Sequence, residues 1–326
     1  MTQENIEEKP RVLVIKLGAL GDFLQALGPF AAIRRHHPDA QITLLTTAPY
    51  VEMAERCGSF DRVWVDRRPK LLQLSAWLRL RKKLRSAGFT RVYDLQTSDR
   101  SGFYFRLFFP GPYPEWSGIA KGCSHPHANP NRDFMHTVER QAEQLEMAGI
   151  GRVPAASVDW MTAEVAHLQP EGPYALLVPG GAPHRPEKRW PAERFADLAN
   201  RLAERGIVPL LLGTQAEAAT LKAIEAAAPQ AINGMGKTNL FEIASLARNA
   251  RAAIGNDTGP MHLIALTGIP TLVLFSHASD PALCAPRADQ VTLFQVASLA
   301  ALESSDVLAA LPLGEAAESP APPGAP

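Results

Sequence analysis

Three short strings in this chain carry residue types suited to proton transfer and to holding a phosphorylated ligand. The first is Lys16-Leu17-Gly18-Ala19-Leu20-Gly21-Asp22, directly after the apolar run Val12–Ile15. Gly18 and Gly21 would let a ligand approach the backbone closely. Asp22 is the one carboxylate of the turn and is suited to take a proton from an attacking hydroxyl, or else to cap a helix. The turn has neither the GxGxxG fingerprint nor the GKS/T of a P-loop. The second string is Gly255-Asn256-Asp257-Thr258-Gly259-Pro260-Met261-His262, after an apolar run ending at Ile254. It reads as strand, tight turn and helix start, where exposed N–H groups and the dipole favour a phosphate. Thr258 adds a hydroxyl, and His262 lies one turn further on the same face. In the plainer reading Asp257 or Thr258 is a cap and His262 a core residue. The third string runs from Pro179 through Gly180-Gly181-Ala182 to Lys188-Arg189-Trp190-Pro191. Its glycine amides and Lys188 suit a diphosphate; the alternative is a solvated basic loop.

The elements that must position these strings alternate along the chain. Strand-like runs are Val12–Ile15, Ile42–Leu45, Arg62–Val65 and Arg91–Leu95, then Tyr174–Val178, Val208–Leu212, Ala231–Ile232, Ala252–Ile254, Thr271–Phe275 and Val291–Phe294. Helical segments lie between them, notably Leu71–Arg85, His136–Met147, Ala192–Arg205 and Leu240–Arg248, with Pro29 limiting an early one. This rhythm specifies βαβ units and parallel sheets in two α/β halves, each opening with a strand and a glycine turn. Ligands of such sheets bind at the carboxyl ends of strands, so the strings should meet in a cleft between two sheets. A Pro- and Gly-rich stretch from Phe109 to Asp133 interrupts the rhythm and reads as a long functional loop. One apolar helix, Leu299–Leu311, should close the fold before an Ala/Pro/Gly-rich tail, which is expected to be disordered.

Composition narrows the partners. The 33 basic and 33 acidic residues of the 326 cancel, which argues against nucleic acid as a ligand. Cys57, Cys123 and Cys284 are odd in number and widely spaced, so neither a disulfide framework nor a zinc site is expected. The polar, acidic start and the lack of a long apolar run suggest a cytoplasmic protein. The cations of Arg79–Arg85 read as the wet face of a helix, suited to attraction by an anionic membrane. His125 and His127 lack further ligands for a metal.

Together, Lys16-Leu17-Gly18…Gly21-Asp22, Lys188-Arg189-Trp190-Pro191 and Asp257-Thr258-Gly259-Pro260-Met261-His262 resemble glycosyltransferase family 9, the heptosyltransferases of lipopolysaccharide core assembly. The resemblance spans about Arg11 to Ala310. It implies an α/β GT-B fold, two Rossmann-like domains facing across a cleft. Residues 10–160 would bind the acceptor and 170–312 the donor, with a disordered tail over 313–326. It implies an inverting transfer that needs no metal or other cofactor, with a nucleotide-diphospho-sugar donor, typically ADP-heptose. The acceptor would be a lipid-linked or cell-envelope saccharide, reached from the cytoplasm with peripheral contact at the inner membrane. Asp22 matches the general base. Gly180, Gly181, Ala182, Lys188, Asp257, Thr258, Gly259 and His262 match the donor site. Relatives often place a Glu after the second strand of that half, to hold the donor ribose; here Gln215 is taken for that contact. Gly18, Gly21, Arg67, Arg68, Lys70, Gln96 and Arg100 are the acceptor-side candidates. The rival expectations are another nucleotide-sugar donor on the same fold, and a non-catalytic saccharide- or sugar-nucleotide-binding protein.

Overall fold

Strands covered on both faces need apolar side chains at successive positions, and the runs that meet this requirement build the centres of two sheets. The computed structural model describes residues 9–182, 184–311 and 313. The chain divides into two units, Met1–Trp160 and Met161–Pro326. In the first unit β1 (Arg11–Ile15), β2 (Gln41–Thr46), β3 (Arg62–Val65), β4 (Arg91–Asp94), β5 (Glu115–Gly118) and β6 (His125–Pro126) form one sheet in the order β3-β2-β1-β4-β5-β6. In the second, β7 (Tyr174–Val178), β8 (Val208–Leu211), β9 (Ile232–Asn233), β10 (Ala252–Asn256), β11 (Thr271–Phe275) and β12 (Val291–Gln295) pair as β12-β11-β10-β7-β8-β9.

Every pairing in both sheets is parallel. In each unit the chain first builds outward on one side and then returns to the centre to build the other. The strand order therefore reverses between β1 and β4, and again between β7 and β10. Open α/β sheets bind ligands at such switch points, beyond the carboxyl ends of the strands. The loops after β1 and β4, and after β7 and β10, carry the glycine turns and the Asp257 turn. In the first unit Leu13, Ile15, Val92, Tyr104 and Trp116 belong to one buried cluster; in the second, Leu177, Trp190, Phe195, Ile254 and Leu272 do.

Several expectations need correction. The stretch from 109 to 133 is not one long loop, because Glu115–Gly118 pairs with β4 and His125–Pro126 extends the sheet further. The last apolar helix is broken: a 3₁₀ turn at Leu299–Ala301 and a helix at Ser304–Ala309 are separated by Leu302 in extended conformation. Leu302 is held there by its carbonyl, which accepts from Trp190 Nε1 at 3.0 Å. The helix expected from Leu71 begins only at Leu74. Pro29 sits in the first turn of Leu27–His36, and the preceding helix ends at Gln25. Leu313, expected in the tail, packs against the second core; the tail from residue 314 lies outside the described residues.

Candidate functional site

The first glycine turn is held from both sides of the switch point. Lys16, buried at the end of β1, donates from Nζ to Leu95 O at 3.1 Å. In return Gln96 Oε1, just after β4, accepts from Leu17 N–H at 2.8 Å. The carbonyl of Leu17 accepts from Thr47 Oγ1 and from Arg68 Nη2, at 3.0 and 2.8 Å. Gly18 has φ +117°, and a Cβ there would stand 2.6 Å from the Tyr50 ring, so glycine is needed for both conformation and space. The turn delivers Asp22 to the third position of the Leu20–Gln25 helix, where Oδ2 accepts from Ala19 N–H at 3.2 Å. Asp22 is thus not the N-cap; that position belongs to Ala19. Its carboxylate is half-buried.

Charges gather around this carboxylate. Burial pushes the Lys16 ammonium below the usual lysine range, against the pull of Asp22 and Asp94 and with the push of Arg140. Burial also lowers Arg140, aided by Arg132 and opposed by Asp22. Desolvation raises the Tyr50 phenol, with Arg68 lowering and Asp22 raising it. Asp22 therefore shares one electrostatic neighbourhood with Lys16, Arg140 and Tyr50. Asp94, the last residue of β4, is fully buried. Its Oδ1 accepts from the N–H groups of Gln96 and Thr97, both at 3.1 Å, and so shapes the turn after β4. Burial raises its pKa to about 6, against those N–H groups, Ser101 and Lys16.

Among the other acceptor-side candidates, Arg67 and Lys70 are exposed. Arg100 donates to Pro69 O at 3.3 Å and lies over the Trp77 ring. Gly21 is half-buried beside Asp22. His127 is buried and paired through Nε2 with Glu143 Oε2 at 2.7 Å. No three His, Cys, Asp or Glu side chains converge as metal ligands among the described residues.

In the second unit one buried amide organises the site. Asn256, fully buried at the end of β10, donates to the carbonyls of Pro179 and Gly180 at 2.9 and 3.1 Å. Its Oδ1 accepts from Trp190 N–H at 3.0 Å. It thereby joins the glycine turn after β7 to the Lys188–Trp190 segment. Arg189 Nη2 donates to Gly181 O at 2.8 Å, and Ala182 is half-buried in the same turn. Lys188 Nζ lies 2.7 Å from Asp257 Oδ2, which also accepts from Ser279 Oγ at 2.7 Å. Thr258 occupies the N-cap position of the Gly259–Leu266 helix, yet its side chain makes no cap bond. Its buried Oγ1 has no hydrogen-bond partner among the described residues. Pro260 stands in the first turn, and His262 is buried.

Sequence reasoning missed four contributors: Asn256 as the clamp, Arg140 and Tyr50 beside Asp22, and Glu217. Gln215 opens a 3₁₀ turn after β8 and is exposed. Glu217, two residues on, accepts from Thr214 N–H at 2.9 Å. It also lies against the glycine turn, where a Cβ on Gly180 would meet Glu217 Cγ at 3.2 Å. The Thr-x-x-Glu spacing of a capping box was the available signal for this carboxylate. The other three join the site only through contacts distant in sequence.

Two Rossmann-like units of this topology define a GT-B fold, and their switch-point loops present a carboxylate in one unit and, in the other, a helix-start turn whose Asp257 holds Lys188. That is the build of a glycosyltransferase. The family description glycosyltransferase family 9 (heptosyltransferase) matches residues 77–308, and the chain belongs to this family. Lipopolysaccharide heptosyltransferase 1 of Pseudomonas aeruginosa is 26% identical over 283 residues, covering 81% of this chain and 78% of that protein. The structure of E. coli ADP-heptose lps heptosyltransferase II superposes with a TM-score of 0.77 at 20% identity, covering 92% of this chain and 97% of that one. The E. coli heptosyltransferase WaaC with ADP gives 0.71, also at 20%, covering 92% and 98%.

Proposed function

We propose that this enzyme moves heptose from ADP-heptose onto a saccharide of the lipopolysaccharide core, the first unit binding acceptor and the second donor. The observation that carries this reading is the start of the Gly259–Leu266 helix. There the buried Thr258 hydroxyl has no partner among the described residues, and Lys188 is held through Asp257 beside it. An ammonium has three donors, so Lys188 can keep Asp257 and still meet a phosphate oxygen. Gly180, Gly181, Ala182 and Gly259 would line the diphosphate with main-chain N–H groups, with His262 packed beneath. Gln215 and Glu217 would lie on the ribose side. The likeness to E. coli ADP-heptose lps heptosyltransferase II and to the E. coli heptosyltransferase WaaC with ADP supports ADP-heptose as donor.

In the proposed reaction the acceptor hydroxyl oxygen attacks the anomeric carbon. The new C–O bond forms as the bond to the diphosphate oxygen breaks, with inversion. The proton passes to Asp22, and the departing electron pair goes to the diphosphate. Lys188 and the helix start stabilise that developing charge, which is how the transfer would proceed without a metal. Arg67, Arg68, Lys70, Gln96 and Arg100, with Gly18 and Gly21, would border the acceptor. A lipid-borne acceptor puts the enzyme at the cytoplasmic face of the inner membrane; no helix of the described residues is long and apolar enough to cross it.

Titration calorimetry with ADP, UDP and GDP, together with Asp22→Asn turnover, tests this. ADP binding in both forms, with turnover lost in the variant, is expected. Binding of UDP or GDP without ADP would reassign the donor. Unchanged turnover in the variant would remove Asp22 as base.

A further inference from the structure

Residues 67–93 contain nine Lys or Arg and no Asp or Glu, in a chain whose charges cancel overall. The same stretch exposes Leu71 by 87%, Leu72 by 93%, Leu74 by 71% and Leu78 by 64%. The Leu74–Ser86 helix turns Trp77, Leu80 and Leu84 toward the core. Leu74 and Leu78 fall on an adjoining flank with Arg81 and Arg85, by the helical repeat. Those arginines donate to the carbonyl of Phe109, at 2.6 and 2.8 Å, and the Phe109 ring beside them is 66% exposed. Trp77 packs edge-on against the exposed Phe103 at 5.1 Å. Phe103 also lines a pocket of about 310 Å³, with Ile119, Arg106, Lys121 and one carboxylate, Asp99.

Large apolar side chains exposed together in this way mark an interaction surface. Its charge selects the partner. Exposed leucines carried on a stretch with nine cations and no carboxylate of its own fit the acyl–headgroup boundary of an anionic bilayer. We propose that Leu71, Leu72, Leu74, Leu78 and Phe109 enter the outer layer of an anionic lipid membrane while Arg79 and Lys82 engage its headgroups. This extends the reading of a lipid-borne acceptor by naming the surface that would hold the enzyme beside it.

Flotation with phosphatidylethanolamine–phosphatidylglycerol vesicles, using neither donor nor acceptor, tests the surface separately from the transfer reaction. The unaltered protein is expected to float with these vesicles, less so at high salt, and not with phosphatidylcholine alone. Leu71→Ser with Leu72→Ser should weaken binding at least about tenfold. Arg79→Gln with Lys82→Gln should weaken it about 30-fold, each cation near an anionic surface being worth roughly 1 kcal/mol. Circular dichroism checks that both variants fold. Failure of the unaltered protein to float, or equal flotation by the variants, overturns the proposal. So does light scattering that finds a dimer dissolved by the leucine changes, since a second copy would then cover the patch.

Discussion

Replacing Asp94 by Asn isolates one buried charge next to the site. In the folded protein its pKa stands at about 6, raised from an ordinary 3.8 chiefly by burial. Between those values the folded state holds a proton that the unfolded chain has released, so stability falls as pH rises through this window. Each pKa unit is worth about 1.4 kcal/mol, so above pH 6 the cost to the folded state is roughly 3 kcal/mol. Asn keeps the Oδ1 acceptor for Gln96 and Thr97 but has no charge to desolvate. Lys16, left without that carboxylate, should release its proton more readily, which favours the variant further as pH rises. Urea unfolding of both proteins between about pH 4 and pH 8 should therefore show the variant gaining about 3 kcal/mol on the parent across the range. Groups that do not interact with Asp94 titrate alike in both proteins and cancel in the difference. A flat difference, or one favouring the parent as pH rises, would refute a carboxyl kept protonated by burial.

The other predictions concern the clamp, the strand before it, the cation and one histidine. Asn256→Ala removes two donated bonds and one accepted bond from a fully buried site; a loss of roughly 3 kcal/mol is expected, seen as a lower thermal midpoint. A Gly255→Ala methyl would stand 2.6 Å from Met261 Sδ and 2.8 Å from Val178 O, so destabilisation by about 1–3 kcal/mol should appear in the same assay; unchanged melting would contradict this packing. Lys188→Ala should weaken ADP binding about 10- to 100-fold in calorimetry, and equal affinity would detach Lys188 from the diphosphate. Burial, then His36, Arg91 and Arg34, hold His37 down at about 4. Its neutral form supports the fold above about pH 6.5, and that support is lost as pH falls toward 4. An NMR titration placing His37 at or above its ordinary value would overturn this.

What could be seen in advance was what local chemistry determines. Val12–Ile15, Tyr174–Val178 and Leu272–Phe275 are apolar without interruption because parallel central strands are covered on both faces. The glycine turns and the Asp257 string announced themselves because their spacing is local. Glu115–Gly118 offered no such run, and it is a strand because Arg91–Tyr93 supplies its ladder. Trp190 breaks the final helix from more than a hundred residues away. That Gln96, an expected acceptor contact, also accepts from Leu17 N–H through its side-chain oxygen had no local signal, because the two residues lie 79 positions apart. Thr258 shows the converse, a residue in the cap position whose hydroxyl does no capping.

The reversal of strand order also dictates when each turn can exist. Lys16 finds its acceptor 79 residues downstream, and Asn256 reaches back 77 residues to Pro179. A chain emerging from the ribosome thus displays the Asp22 segment long before anything can lock it, and the glycines after β7 wait likewise for β10. Closing loops of that length comes late, since its entropy must be met before distant contacts repay it. Competence to hold a ligand therefore arrives only once the chain has crossed back to lay β4 beside β1 and β10 beside β7, and before that crossing neither unit has a finished turn to offer a substrate.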